Sequence, residues 1–478
     1  LKVTNVLSEE KFDQQLRKII AQHGLTGEPR NAHDLPSINE PVAQLGKKLF
    51  FSKALGGDLD SACASCHHPL LGGGDALSVS IGVGAHDQDL LGSARTHPEG
   101  PTVSRNAPST FNVAFFNHVL TYDGRFEKLD TLNIIDGTFK FTKSSLQSSI
   151  RTPDSLFGEA DPNAGDDLVA AQSRFPLTML DEMRGFEFEA HRPGRFVRRH
   201  ISARLGNYGE GKGELKRNRW PTEFQSVFGN TDNPRNLINE NNITKALSAY
   251  QRSQVFVDTS WRAYVQGNYN AIDKSTKRGA LLFFQSEDEG GAGCANCHSG
   301  DFFTDEQFHV LALPQVGPGK EDGRFHDDFG RFRESGKPVD LYAFRTPTLL
   351  NVEVTGPYGH DGAYATLKGI VQHHLNPALA VAVYDVTELD PAVQTQYLAF
   401  NTQRALSKLE ENRKAGLPAI QNIKLTDQQV NDITSFLLTL TDPCVKSLAC
   451  LTPWIPSDDD IDPDGLRLKA RMLTSVAR

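Results

Sequence analysis

The chain has 478 residues, 23% of them charged and 38% hydrophobic, with a formal net charge of −9. That length allows two or three domains with real cores. The acidic balance speaks against a nucleic-acid partner and is compatible with a basic protein partner, and no run of about 18 apolar residues marks a membrane span.

Residues 1–39 read as a helical extension. Ser8 is placed to cap its helix, Glu9 and Glu10 suit the first turn, and Phe12, Leu16, Ile19 and Ile20 form the apolar side. Gly24 and the 27–29 stretch end it. A second helix over 42–51 leads into residues 63–67, CASCH. Cys-x-x-Cys-His attaches a c-type haem through two thioethers, with the adjacent His67 as proximal iron ligand. A single CxxC could equally be a redox dithiol or half a zinc site. The pattern recurs at 294–298, CANCH, with Cys294, Cys297 and His298 in the same places. Two copies point to two covalent haems, because each Cys–Cys–His triad falls one ligand short of a zinc site.

Residues 69–104 are glycine-rich and irregular, and His86 and His97 within them read as surface or propionate-facing groups rather than ligands. The polar 153–175 stretch looks like an inserted surface loop. Short helices are expected at 196–205 and 224–228, and a longer one over 243–264. The charged 317–336 segment, with His309 before it and His326 inside it, is expected to be solvent-exposed. A helix begins near Thr426, whose capping box is completed by Gln429, and Val430, Ile433, Phe436, Leu437 and Leu440 form its apolar face. Cys444 and Cys450 are left over and suit a small disulfide loop. The tail DDDIDPDG at 458–465 spaces its aspartates like an early calcium loop, but Arg471 stands where the closing Glu belongs.

The order of segments repeats. LGKKLFF (45–51) resembles RGALLFF (278–284), APSTFNV (107–113) resembles TPTLLNV (346–352), and YDGRFEKL (122–129) resembles HDGAYATL (360–367). With the two haem motifs, this indicates an internal duplication. Strand-like alternation is sparse, so the expected fold is mainly α, with two homologous c-type cytochrome domains at about 40–260 and 261–440 and a tail at 441–478. Because c-type haems are attached outside the cytoplasm, the chain, which starts at Leu1 without an initiator Met, is expected to be processed and periplasmic.

Both CxxCH motifs, RNAP (105–108), YDGR (122–125), DEMRG (181–185), RTPTLLN (345–351) and HDG (360–362) together resemble the bacterial di-haem cytochrome c peroxidases. They also resemble a relative of these enzymes, the di-haem enzyme of methylamine utilisation that oxidises tryptophans in a partner protein. The resemblance covers about residues 40–440. It implies an N-terminal haem as the peroxide site, a C-terminal haem for electron transfer, and a calcium ion held by Asn106, Thr355 and Pro357. Oxygen-only ligation of that kind suits calcium. It implies Glu182 as acid–base residue, with Glu187 and Glu189 as rivals, and His360 as a haem contact. Tyr122 stands where the family's bridging tryptophan is usual, in one motif with Arg125, and Trp220 or Trp261 could substitute for it. Val83 stands where many members carry a histidine that ligates the resting peroxidatic haem. A methionine or tyrosine ligand usually lies fourteen residues beyond the HDG histidine, and here that place is His374, with His373 its neighbour and rival. The three methionines, Met179, Met183 and Met472, are far from it in the chain. Bis-histidine ligation by His298 and His374 and a lowered potential are therefore expected.

The leading function is reduction of hydrogen peroxide with electrons from a small cytochrome c or cupredoxin. The alternative is peroxide-driven oxidation of a protein side chain, and a third class is pure electron transfer. The assembly state is open, a dimer among the options.

Overall fold

The computed structural model describes residues 2–29, 35–129, 133–135, 138–140 and 149–472. They fold into two compact, mostly helical units with only short antiparallel strands. Among the described residues no helix is long and apolar enough to cross a membrane.

The unit carrying Cys63 comprises Asp34–Val103, Ala107–Val255 and Ala449–Arg478. Its core is the crossing of helices Pro41–Phe50 and Glu240–Arg252. Pro41 sits at the start of the first, where its missing N–H costs nothing. Asn239 caps the second by accepting from the Asn242 N–H at 3.0 Å. Leu45, Leu49 and Phe50 pack on Leu247 and Tyr250. The helices approach so closely at Gly46 that a Cβ there would lie 1.9 Å from the Ala246 carbonyl oxygen. Strands Val119–Leu120, Phe126–Lys128 and Ile150–Arg151 form a small sheet. The 153–175 stretch is only partly the expected surface loop. Asp167 caps a helix, Leu168–Ser173, and Leu168, Val169, Ala171 and Phe175 build a core with Leu120, Phe126 and Ile150. The aspartate-rich tail is a fastener: Asp464 accepts from Ser52 Oγ at 2.7 Å and from the Trp220 indole at 2.8 Å, and Asp460 pairs with Lys47 at 3.3 Å.

The unit carrying Cys294 comprises Leu1–His33, Ser104–Asn106 and Phe256–Leu448. The N-terminal helix runs Lys2–Gln22, so Ser8 lies inside it rather than at its cap. It packs on helix Lys274–Phe284, where Asp13 pairs with Lys277 at 2.8 Å. That helix, capped by Asp273, crosses helix Asp427–Leu438. Gly279 stands at the crossing, its would-be Cβ 1.9 Å from the Asp432 carbonyl oxygen. The same glycine of the two repeats thus does the same work, admitting a crossing helix. The Thr426–Gln429 capping box forms as expected. The helix expected over 243–264 is two, Glu240–Arg252 and Ser260–Val265, with Thr259 capping the second. The charged 317–336 segment is not simply exposed. Asp327, Asp328 and Arg331 are buried, and Arg105 forks onto Asp328 at 2.7 and 2.8 Å. Cys444 and Cys450 are disulfide-bonded, leaving the four motif cysteines free.

Two candidate haem centres

At the first motif, a single turn, Cys63–Cys66, delivers His67 with its Nδ1 3.2 Å from the Gly73 carbonyl. A carbonyl at Nδ1 makes that nitrogen the N–H donor and leaves Nε2 with its lone pair outward, the arrangement a metal-ligating histidine uses. Burial lowers the His67 pKa, which keeps the ring neutral. Burial, with the Glu182 charge adding to it, pushes the Cys63 thiol up to about 12, and Cys66 is raised likewise. A redox dithiol calls for depressed thiol pKa values, which these two do not have.

The 80–84 loop lies beside Cys66, whose Sγ is 3.6 Å from the Ile81 carbonyl. Val83 is buried there, and its N–H donates to the Asp181 carbonyl at 3.2 Å. A Cβ on Gly82 would meet the Asp181 and Glu182 carbonyl oxygens at 2.2 and 2.4 Å. The loop therefore abuts the π-helical turn Leu180–Arg184 that carries Glu182, a backbone form often found at functional sites. Glu187 is exposed, and Glu189 is engaged by His200 at 2.7 Å. Arg95, which sequence reasoning missed, is fully buried and grips the Ile81 and Gly82 carbonyls. A lone arginine within a glycine-rich loop was its only signal. His86 is exposed and bonded to Thr96 Oγ1 at 3.1 Å, and His97 Nδ1 accepts from the Glu99 N–H at 3.2 Å. Tyr122 and Arg125 lie in the turn between strands Val119–Leu120 and Phe126–Lys128. Buried Asp123 organises that turn, accepting from Thr121 Oγ1 at 2.9 Å and Arg125 Nε at 3.2 Å. Trp220 is a core residue of this unit.

At the second motif His298 repeats the geometry of His67, its Nδ1 3.1 Å from the Phe303 carbonyl. The backbone of Pro108 beside His67 and of Pro347 beside His298, at corresponding places in the two similar segments, acts with these carbonyls to raise each ring's pKa against its burial. Helix Leu367–Leu375 carries His373 and His374. His374 Nδ1 is 2.8 Å from the Ile370 carbonyl, and its ring centre is 6.4 Å from that of His298. Two metal–imidazole bonds of about 2 Å, plus the reach from nitrogen to ring centre on each side, sum to roughly 6 Å. His373 points elsewhere: its Nδ1 meets the Tyr364 hydroxyl and its Nε2 the Leu311 carbonyl, both at 2.8 Å. Both of its nitrogens are committed, so the pair divides into one ring available to a metal and one that is structural. Burial lowers His298 to about 4, with His374 adding to the effect, and lowers His374 as well, so both rings are neutral donors. The residues at both motifs therefore fit covalent haem with axial imidazole.

His360 is buried, stacked 3.7 Å from Phe344, and neither ring nitrogen makes a hydrogen bond to the protein, the nearest charged group to Nε2 being Asp361 at 3.7 Å. It opens on a cleft lined also by Ser104, Asp328 and Asp361, a setting that suits a cofactor's polar edge. The His360 carbonyl accepts the Asn106 N–H at 2.9 Å, which brings Asn106 to the stretch bearing Thr355 and Pro357. His309 and Asp305 pair at 2.7 Å beside Cys297, the one cluster of three with metal-like spacing among the described residues. The hydrogen bond to Asp305, then that to Cys297, pushes His309 up to about 10.

The sequence profile of the di-haem cytochrome c peroxidase family matches residues 40–270. The methylamine utilization protein MauG of Methylorubrum extorquens is 27% identical over 71% of this chain and 70% of its own length. The cytochrome c551 peroxidase of Pseudomonas aeruginosa is 26% identical over 70% of this chain and 71% of its own. Among solved structures, the di-haem peroxidase BthA of Burkholderia thailandensis shares the fold at a TM-score of 0.54, with 21% identity and 92% of each chain covered. A MauG-like protein associated with microbial copper homeostasis superposes at 0.53 with 22% identity, covering 88% of this chain and 95% of its own. Over residues 40–270 the chain matches the di-haem cytochrome c peroxidase family, and with the similarity to MauG and cytochrome c551 peroxidase this marks it as a di-haem cytochrome c peroxidase-like oxidoreductase.

Proposed function

We propose that the protein reduces hydrogen peroxide to water in the periplasm, with electrons from a small cytochrome c or cupredoxin. In this reading Cys63, Cys66 and His67 hold one haem c, and Cys294, Cys297, His298 and His374 hold the other. Haem c supplies the redox-active iron at which peroxide is reduced. The observation that carries the reading is the asymmetry of the two centres. His374 stands opposite His298 at iron-bridging distance, whereas the loop beside Cys66 presents Val83, which has no donor atom. Glu182 takes a proton from one peroxide oxygen and returns it to the departing one. Asn106, Thr355 and Pro357 hold a calcium ion through oxygen atoms, and His360 meets a haem's polar edge. Tyr122 and Arg125 serve the path between the centres. The paired glycines Gly46 and Gly279, and the left-handed Asn112 and Asn351, support the two units being products of one duplication.

A second reading, peroxide-driven oxidation of a partner protein's side chain, is favoured by the His298–His374 pair. Two imidazoles stabilise ferric iron more than a thioether does and lower the potential, so the second centre gives up an electron more readily. Electron paramagnetic resonance of the oxidised protein should show one high-spin and one low-spin haem. Glu182→Gln should then slow peroxide-dependent haem oxidation by about 10²–10⁴-fold with the resting spectrum unchanged. Only low-spin signals, or an unchanged rate, would remove the support for this assignment. Turnover of peroxide with a reduced cytochrome, against modification of a protein partner, separates the two readings.

A further inference from the structure

Trp261 stacks on Tyr264 with ring centres 5.5 Å apart and planes 16° from parallel, and Tyr264 meets Tyr269 edge-on at 5.5 Å. On its other side Trp261 touches Phe436 at 5.0 Å, and Phe436 lies 6.3 Å from Phe303. Phe303 supplies the carbonyl that holds His298 Nδ1. One line of rings thus runs from the second haem centre through buried Trp261 and Tyr264 to half-buried Tyr269. The Tyr264 hydroxyl donates to Asp13 Oδ1 at 2.6 Å, and Lys277 Nζ pairs with that carboxylate at 2.8 Å. Phenylalanine would fill the same space. What it would lack is an oxidisable ring with a proton acceptor already in place.

We propose that Trp261, Tyr264 and Tyr269 form a relay that carries oxidising equivalents from the second haem centre to the surface, with Asp13 as the acceptor of the Tyr264 proton. The relay rests on the peroxidase reading, since hydrogen peroxide is its oxidant. One electron leaves the Trp261 indole toward the haem centre, and one from Tyr264 replaces it. As Tyr264 gives up its electron its O–H bond breaks, and the proton passes to Asp13 Oδ1. Tyr269 then reduces Tyr264, the proton returns from Asp13, and the phenolic proton of Tyr269 leaves to water. A one-electron reductant at the surface, such as a donor protein, together with a proton from water, restores Tyr269. Peroxide consumes two electrons and two protons to give two waters, so two passages balance one peroxide.

The test mixes the oxidised di-haem protein with hydrogen peroxide and no donor, in the presence of a nitroso spin trap. It follows the haem spectrum and maps trapped radicals by peptide mass spectrometry. The expected result is a haem response with adduct on Tyr269, reduced several-fold in Tyr264→Phe, in Trp261→Phe and in Asp13→Asn. Tyr264→Phe and Asp13→Asn keep the ring packing, so the readout does not depend on Trp261→Phe folding. A haem response with no adduct on Tyr269, or with adduct unchanged in Tyr264→Phe and Asp13→Asn, overturns the relay alone. No haem response to peroxide overturns the peroxidase reading and the relay with it.

Discussion

His373 and His374 are neighbours on one helix, and replacing them should have opposite consequences. His373 is fully buried and bonds to Tyr364 and Leu311 at 2.8 Å each. His373→Ala strands the tyrosine hydroxyl and the carbonyl, at about 1–3 kcal/mol apiece. The total of about 2–6 kcal/mol corresponds to a fall in Tm of roughly 5–20 °C for a unit of this size. The low-spin haem signal should survive, because the ring proposed to ligate, His374, is untouched. His374→Ala removes the proposed second ligand of the iron, and within the protein only a side-chain bond to a carbonyl of its own helix. It should convert the second centre from low-spin to high-spin. Calorimetry and electron paramagnetic resonance on both holoproteins read the two quantities separately. Loss of the low-spin signal in His373→Ala, with the signal kept in His374→Ala, would refute the reasoning outright, as would an unchanged Tm in His373→Ala.

Gly279→Ala and Gly46→Ala each drive a methyl to 1.9 Å from a carbonyl oxygen of the crossing helix, so each should destabilise its unit by about 1–3 kcal/mol or more through forced separation; unchanged melting by calorimetry would show that the helices can part freely. Burial pushes the Asp328 carboxyl up, but the Arg105 guanidinium overrides it and holds the pKa well below the usual value of about 3.9. A folded-state pKa below the unfolded one gives stability that is present above the unfolded value and is lost as pH falls through the folded one. Tm should therefore drop on acidification below about pH 4, and Asp328→Asn should flatten that acid limb while lowering Tm near neutrality, since Arg105 is left buried without its partner; parallel curves would contradict this. Chelation with EGTA should lower Tm reversibly, with calcium restoring it, and Asn106→Ala should abolish the response; a chelator effect that persists in Asn106→Ala would move the ion elsewhere.

The mainly helical fold and the likeness to the di-haem peroxidases were legible because each is written in local spacing. CxxCH encodes its own chemistry, and LGKKLFF and RGALLFF carry at the same place the glycine that a helix crossing requires. The Thr426 capping box is equally local. Other features depended on what a distant part of the chain brings alongside. His373 and His374 are indistinguishable as letters; Tyr364 and the Leu311 carbonyl, outside their helix, occupy one of them. The charged 317–336 segment looked exposed because its burial needs Arg105, more than two hundred residues earlier in the chain, to neutralise Asp328. The 153–175 stretch looked like surface because only the strands beneath it give Leu168 and Phe175 a core to enter. Trp261 could not be placed until Tyr264, Phe436 and Phe303 were seen around it. Spacing determines which groups a backbone can present locally, but burial and pairing are properties of the partner surface, and for these residues the tertiary fold alone supplies that surface.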